Sequence, residues 1–339
     1  MTVHPAAATA AHAYSTPGTA PAIEATALVK TYGDVTALNG LGFTVETGTV
    51  FGLLGPNGAG KSTTIKMLTT LTLPTSGSAT VAGVDVLRQP DGVRRAIGVV
   101  TQRSGTDPQA TGRENLLLIG RIHGMRGRAV KARVTELLDR FELAGAADRT
   151  VRAYSGGMQR KLDVAMGLVH RPKVLFLDEP TTGLDPHARV EMWAEIARLA
   201  AQDGLTILLT THYLEEADRM ADRLAIVDRG ELVTQGTPDQ LKSELRGDAV
   251  VTDVAADADL AAARSTIERV AGAREVTLDG RTVRARVDHG AGAVPTVLAA
   301  LEAAGVPVAS ITVARPSLDD VYLQHTGRTF AAAEGSENR

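Results

Sequence analysis

The chain has 339 residues, with 36 Lys+Arg against 39 Asp+Glu and no cysteine. The even charge balance lacks the basic field of a nonspecific nucleic-acid binder, so no nucleic-acid partner is expected. Without cysteine there are no disulfides, thiolate metal sites or cysteine nucleophiles, which fits a reducing setting.

The length suits two domains, because one core rarely grows past roughly 250 to 300 residues. Residues 1–22 are alanine-rich and broken by Pro5, Pro17 and Pro21, with no basic segment leading into an apolar core. They read as a disordered tail and not as a secretory signal. No apolar run along the chain reaches the ~20 residues that span a bilayer.

Residues 23–246 alternate short apolar runs with longer helical patterns, as an α/β domain around a buried sheet does. The clearest strands are "TVFGLL", "AIGVV", "KVLFLD", "LTILLT" and "RLAIVD". Between about residues 88 and 168 helix dominates, and "RENLLLIGRIHG" and "RAVKARVTELLDRFEL" place apolar residues at three-to-four spacing. This part reads as a helical insert. Residues 247–327 follow a shorter cycle, strand, helix, two strands joined across Asp279-Gly280, helix and strand, which predicts a small α+β, ferredoxin-like module closed by the helix "SLDDVYLQHTG". Residues 328–339 read as a second disordered tail.

Two stretches carry chemistry. "GPNGAGKS", Gly55 to Ser62, matches G-x-x-x-x-G-K-[ST] between an apolar strand and a helix. In such a loop, Gly55, Pro56, Asn57, Gly58, Ala59 and Gly60 turn backbone N–H groups towards phosphate oxygens. The helix that runs on through Thr63 adds the positive end of its dipole. Lys61 would bridge the β- and γ-phosphates, and the Ser62 hydroxyl would ligate Mg²⁺. A glycine-rich turn with incidental Lys and Ser is the competing reading, weakened by the strand before and the helix after. In "VLFLDEP", 117 residues after Lys61, a buried strand would deliver Asp178 beside the metal, and Glu179 could face the γ-phosphate and orient a water.

The ordered set "GPNGAGKS", "VVTQ", "YSGGMQRK", "VLFLDEP", "TGLDP" and "LLTTH" resembles the nucleotide-binding subunit of an ATP-binding cassette (ABC) transporter over about two thirds of the chain. The fold implied is a P-loop ATPase domain with a helical insert. The resemblance implies that Gln102 touches Mg²⁺ or the attacking water, and that His212 contacts the γ-phosphate. It places Asp185 in a loop between two subunits and Tyr32 against adenine, although packing at a strand end would equally explain that aromatic. It also implies a homodimer with ATP at the interface, in which Ser155, Gly156 and Gly157 of one chain close over the ATP of the other.

Here Tyr154 and Met158 replace the usual Leu and Gln of that signature. Together with "TGRENL" and "SLDDVYLQHTGR", the variant resembles daunorubicin-resistance type exporter ATPases. That likeness implies ATP hydrolysis driving drug or antibiotic export through a separate membrane permease, from the cytoplasmic side of the membrane. The alternative is an ABC-type ATPase not coupled to transport. Trp193 is expected to be packing, the acidic "YLEEAD" a solvated helix start, and the C-terminal module a regulatory or assembly domain.

Overall fold

The computed structural model describes residues 20–245 and 247–335. The expected tail over residues 1–19 and the last four residues lie outside that range. The chain opens with β1 (Ile23–Tyr32), β2 (Val35–Val45), β3 (Val50–Leu54), α1 (Lys61–Leu68), β4 (Ser76–Val81), β5 (Val84–Asp85), α2 (Pro90–Ala96) and β6 (Ile97–Val100). A helical stretch follows, α3 (Gly112–Ile122), α4 (Gly127–Arg140) and α5 (Gly156–Leu168). Then come β7 (Val174–Asp178), α6 (Pro186–Asp203), β8 (Thr206–Thr211), α7 (Leu214–Met220), β9 (Arg223–Asp228), β10 (Glu231–Gly236) and α8 (Pro238–Glu244). The remainder is β11 (Asp248–Val254), α9 (Leu260–Glu268), β12 (Arg274–Asp279), β13 (Thr282–Val287), α10 (Gly290–Ala303), β14 (Val308–Ala314), α11 (Leu318–Thr326) and α12 (Phe330–Gly335).

The central sheet has the order β10-β9-β3-β8-β7-β6, parallel except for the edge strand β10. Its inner strands are continuous apolar runs because both faces are covered; every residue of β3 and β8 is buried. One face packs against the helical stretch and α6, the other against an antiparallel sheet of order β2-β1-β4-β5. Parallel pairing also sets the loops after β3, β7 and β8 side by side at one sheet edge, where open α/β sheets hold ligands. Leu54 pairs with Thr211, and Asp178 with Thr210.

The C-terminal module forms an antiparallel sheet of order β12-β13-β11-β14. Taken in chain order within the module, the strands lie 2-3-1-4, with α9 and α10 packed on one face. Two features depart from the sequence reading. Residues 20–22 are not a tail end: Ala22 is buried and its N–H donates to Val45 O. Residues 328–335, expected as tail, contain α12, whose Phe330 and Ala333 are buried with α11's Leu318, Val321 and Tyr322 against Leu54, Ala217, Leu224, Ile226 and Leu241. Arg328 secures the turn before it, donating to both carboxylate oxygens of Asp228 at 2.8 and 3.0 Å. The last two helices therefore pack on the N-terminal α/β part, across the sequence boundary between the domains.

Candidate nucleotide site

The loop from Gly55 to Ser62 leaves β3 and enters α1 directly. Gly60 precedes the helix at φ 100°, and a side chain there would meet Leu38 and the Ala37 carbonyl at 2.5 and 2.7 Å. Only glycine satisfies both demands. No side chain caps α1, so its first N–H groups remain directed into the loop. The Lys61 ammonium donates to Gly55 O and Pro56 O at 2.7 and 2.9 Å, folding back over the loop. Asn57 and Gly58 are exposed, while Ser62 and Thr63 are half-buried.

Against this loop stand two carboxylates with different partners. Asp178 Oδ1 accepts from Ser62 Oγ at 3.2 Å and from Thr210 Oγ1 at 2.6 Å. Glu179 is 9% exposed and has φ 47°, so its side chain turns away from the strand direction. Its Oε2 accepts from Gln102 Nε2 at 3.0 Å and Thr182 Oγ1 at 3.2 Å, and Thr210 Oγ1 also anchors its N–H. His212 Nδ1 approaches Glu179 Oε1 to 3.1 Å, a close electrostatic contact whose angle falls outside hydrogen-bond geometry. The His212 contact holds the Glu179 carboxyl below its ordinary pKa against the opposing effect of burial, with Lys61 and Thr182 contributing. Glu179 is thus ionised at neutral pH.

Lys61, Ser62, Gln102, Asp178, Glu179 and His212 therefore form one cluster, in which Gln102 reaches Glu179. The other expected residues stand apart from it. Ser155 caps α5 by accepting from Met158 N–H at 3.2 Å, and Ser155 and Gly156 are exposed. Asp185 caps α6 through Ala188 N–H at 2.9 Å. Tyr32 is 47% exposed beside the Lys30 ammonium, so its ring is not packed in the core. The unusual Tyr154 is accounted for by packing: its hydroxyl donates to Ala146 O at 2.8 Å, in space left by Gly112. Met158 packs on the core of the helical stretch.

Sequence reasoning missed two residues. Arg160, 7% exposed, sends its guanidinium from α5 to four main-chain carbonyls. It reaches Pro180 and Thr101 at 2.7 Å and Asp178 and Glu179 at 3.1 Å. One cation thus ties the helix behind Ser155 to the ends of β6 and β7. Glu216, in the stretch expected to be solvated, is 1% exposed and accepts from the hydroxyls of Thr181 and Thr211. An isolated "EE" in a polar helix start gives no sign of this.

The parallel sheet, the phosphate loop and the paired carboxylates define a P-loop nucleoside triphosphatase with a helical insert. A model of the ABC transporter family matches residues 38–182, and one described as the ATP-binding protein DrrA1-3-like C-terminal domain matches residues 236–326. The chain is 46% identical to a daunorubicin resistance ATP-binding protein, DrrA2, of Streptomyces coeruleorubidus, over 93% of this chain and 98% of that protein. It is 42% identical to a Nod factor export ATP-binding protein I of Rhizobium meliloti, over 92% and 90%. Among solved structures, a dimeric ATP-binding cassette bound to ADP and Pi aligns with TM-score 0.59 and 26% identity, over 63% of this chain and 98% of that one. The protein cbiO1 of Clostridium perfringens, part of an ABC transporter complex, aligns with TM-score 0.61 and 26% identity, over 66% and 91%. The chain belongs to the ATP-hydrolysing, ATP-binding proteins of ABC transporters, in the daunorubicin-resistance type.

Proposed function

We propose that this chain energises export of a hydrophobic drug or antibiotic through a separate membrane permease, working as an ATP-bridged homodimer on the cytoplasmic side of the membrane. The likeness to a daunorubicin resistance protein over 93% of the chain, C-terminal module included, carries this reading. No helix among the described residues is long and apolar enough to cross a membrane. A cavity of about 760 Å³ between β6, α3 and α5, lined by Leu71, Ile119, Ile122 and Met166, offers an apolar surface for a partner. Leu71 and Ile122 are exposed at its rim. A second cargo class, a compound of the Nod factor kind, rests on the relative named for Nod factor export.

In this reading the Gly55–Gly60 backbone and Lys61 hold the phosphates, Tyr32 stacks on adenine, and Thr63 lies at the helix start. Ser62 and Asp178 converge as an all-oxygen pair that would hold Mg²⁺. The bound metal would supply charge neutralisation at the phosphates. Glu179, kept ionised, orients the attacking water and takes its proton; Gln102 holds that carboxylate in place, and His212 faces the γ-phosphate. Ser155 and Gly156, exposed at the α5 N-terminus, and the half-buried Gly157 supply a hydroxyl, N–H groups and a dipole to the partner's γ-phosphate. Asp185 lines the passage between the two chains.

The test is to purify the chain from its native membrane, identify the permease that accompanies it, and measure which compounds stimulate ATPase activity in the reconstituted pair. Stimulation by amphipathic drugs supports export. A chain recovered without a membrane partner, with compound-insensitive activity, contradicts it.

A further inference from the structure

The carboxylate of Glu216 lies inside the protein at a junction of three segments. It accepts from Thr181, two residues beyond Glu179, and from Thr211, the residue before His212, the latter at 2.8 Å. Arg189, one turn into the helix that Asp185 caps, places its Nε 3.8 Å from the same carboxylate, and that nitrogen has no hydrogen-bond partner. The Arg189 guanidinium also lies over the Tyr213 ring, 5.0 Å from its centre, and the Tyr213 ring lies 4.1 Å from that of His212.

Thr211 is held from every side. Its hydroxyl donates to Glu216 and accepts from Tyr213 N–H at 2.9 Å, and its carbonyl accepts from Gly55 N–H of the phosphate loop at 3.4 Å. A buried carboxylate is costly unless several donors meet it, so its geometry is tightly determined. From this we infer that Glu216 is a positioning residue for His212: it fixes Thr211, and through it the histidine, and joins that setting to Arg189 on the helix begun by Asp185. Movement of the Asp185 loop would therefore reach His212 through Arg189, Glu216 and Tyr213. The inference rests on His212 acting at the γ-phosphate.

Steady-state ATPase kinetics of the full chain test it with Glu216→Gln, His212→Ala and the double variant. Glu216→Gln is expected to lower kcat about tenfold or more with KM for ATP within about threefold, and to cost less than about twofold once His212 is gone. Equal losses in both backgrounds, or an unchanged kcat for Glu216→Gln, overturn the inference. An unchanged kcat for His212→Ala alone removes the reading of His212 on which it stands. If Glu216→Gln does not fold, Thr211→Val takes its place: it should lower kcat in the same non-additive way while Thr211→Ser restores most of it, and a Thr211→Val enzyme with parental kcat overturns the inference.

Discussion

Replacing Arg160 by methionine removes the side chain that donates to the carbonyls of Thr101, Asp178, Glu179 and Pro180; the Glu179 carbonyl keeps a bond from Thr182 N–H at 3.3 Å. Thr101 is exposed and water can replace the lost bond there; the three carbonyls at the end of β7 are less accessible. A hydrogen bond to a charged group is worth about 1.5 to 3 kcal/mol, but bonds to one guanidinium do not add. Each buried carbonyl left without a donor costs about 1 to 3 kcal/mol, so with Asp178 and Pro180 losing theirs the expected loss is about 3 to 5 kcal/mol. Total stabilities are about 5 to 15 kcal/mol, so the variant should fold but melt early. At about 2 to 4 °C per kcal/mol, the midpoint should fall by roughly 10 °C. Fluorescence of Trp193, the single tryptophan, reports unfolding of α6 in the same domain. Arg160→Lys should fall between the two, because an ammonium cannot match the planar fork. A midpoint for Arg160→Met within about 3 °C of the parent would refute the argument that this cation joins α5 to the β7 end.

Glu179→Gln should retain ATP binding while turnover drops by about 100-fold or more, because the water-orienting carboxylate is lost and the phosphate loop is intact; titration with a fluorescent ATP analogue and a phosphate-release assay check both halves. Lys61→Ala should lower kcat/KM by about 100-fold through lost charge stabilisation at the γ-phosphate, and an unchanged value would contradict the phosphate-loop assignment. Burial, with neighbouring His123, holds the His170 pKa down to about 4 from 6.5. The folded protein disfavours the charged ring, so this contribution is whole above about pH 6.5 and is lost as the pH falls towards 4, by up to about 3 kcal/mol. Melts of His170→Gln should accordingly depend less on pH between about 6.5 and 4.5 than those of the parent, and equal slopes would remove His170 as the cause.

The strands of the central sheet were legible because parallel strands covered on both faces are unbroken apolar runs. The phosphate loop was legible because its glycines and lysine are adjacent in sequence. The C-terminal module followed from its short alternation and the Asp279-Gly280 turn. The sheet of β1, β2, β4 and β5 was not singled out: Ala27 at φ 47° accompanies register shifts in β1, so its alternation of buried and exposed residues breaks. The C-terminal helix reads as tail from sequence because "FAAAEG" is short and its one large apolar residue gains meaning only against Tyr322 and the α7–β9 surface. Arg160 and Glu216 were illegible for a related reason. Charged residues in helices read as solvated faces, and only the fold brings carbonyls and hydroxyls from distant segments to meet them.

The central claim is that each ATP is enclosed by the phosphate loop of one chain and Ser155–Gly157 of another. Light scattering of Glu179→Gln with ATP and Mg²⁺, with and without Ser155→Arg, tests it most directly. Glu179→Gln alone should double its molar mass on adding ATP. The combined variant should stay single while still binding one ATP per chain, because the arginine would lie against the partner's nucleotide. A combined variant that dimerises with ATP as readily as Glu179→Gln would contradict the shared site.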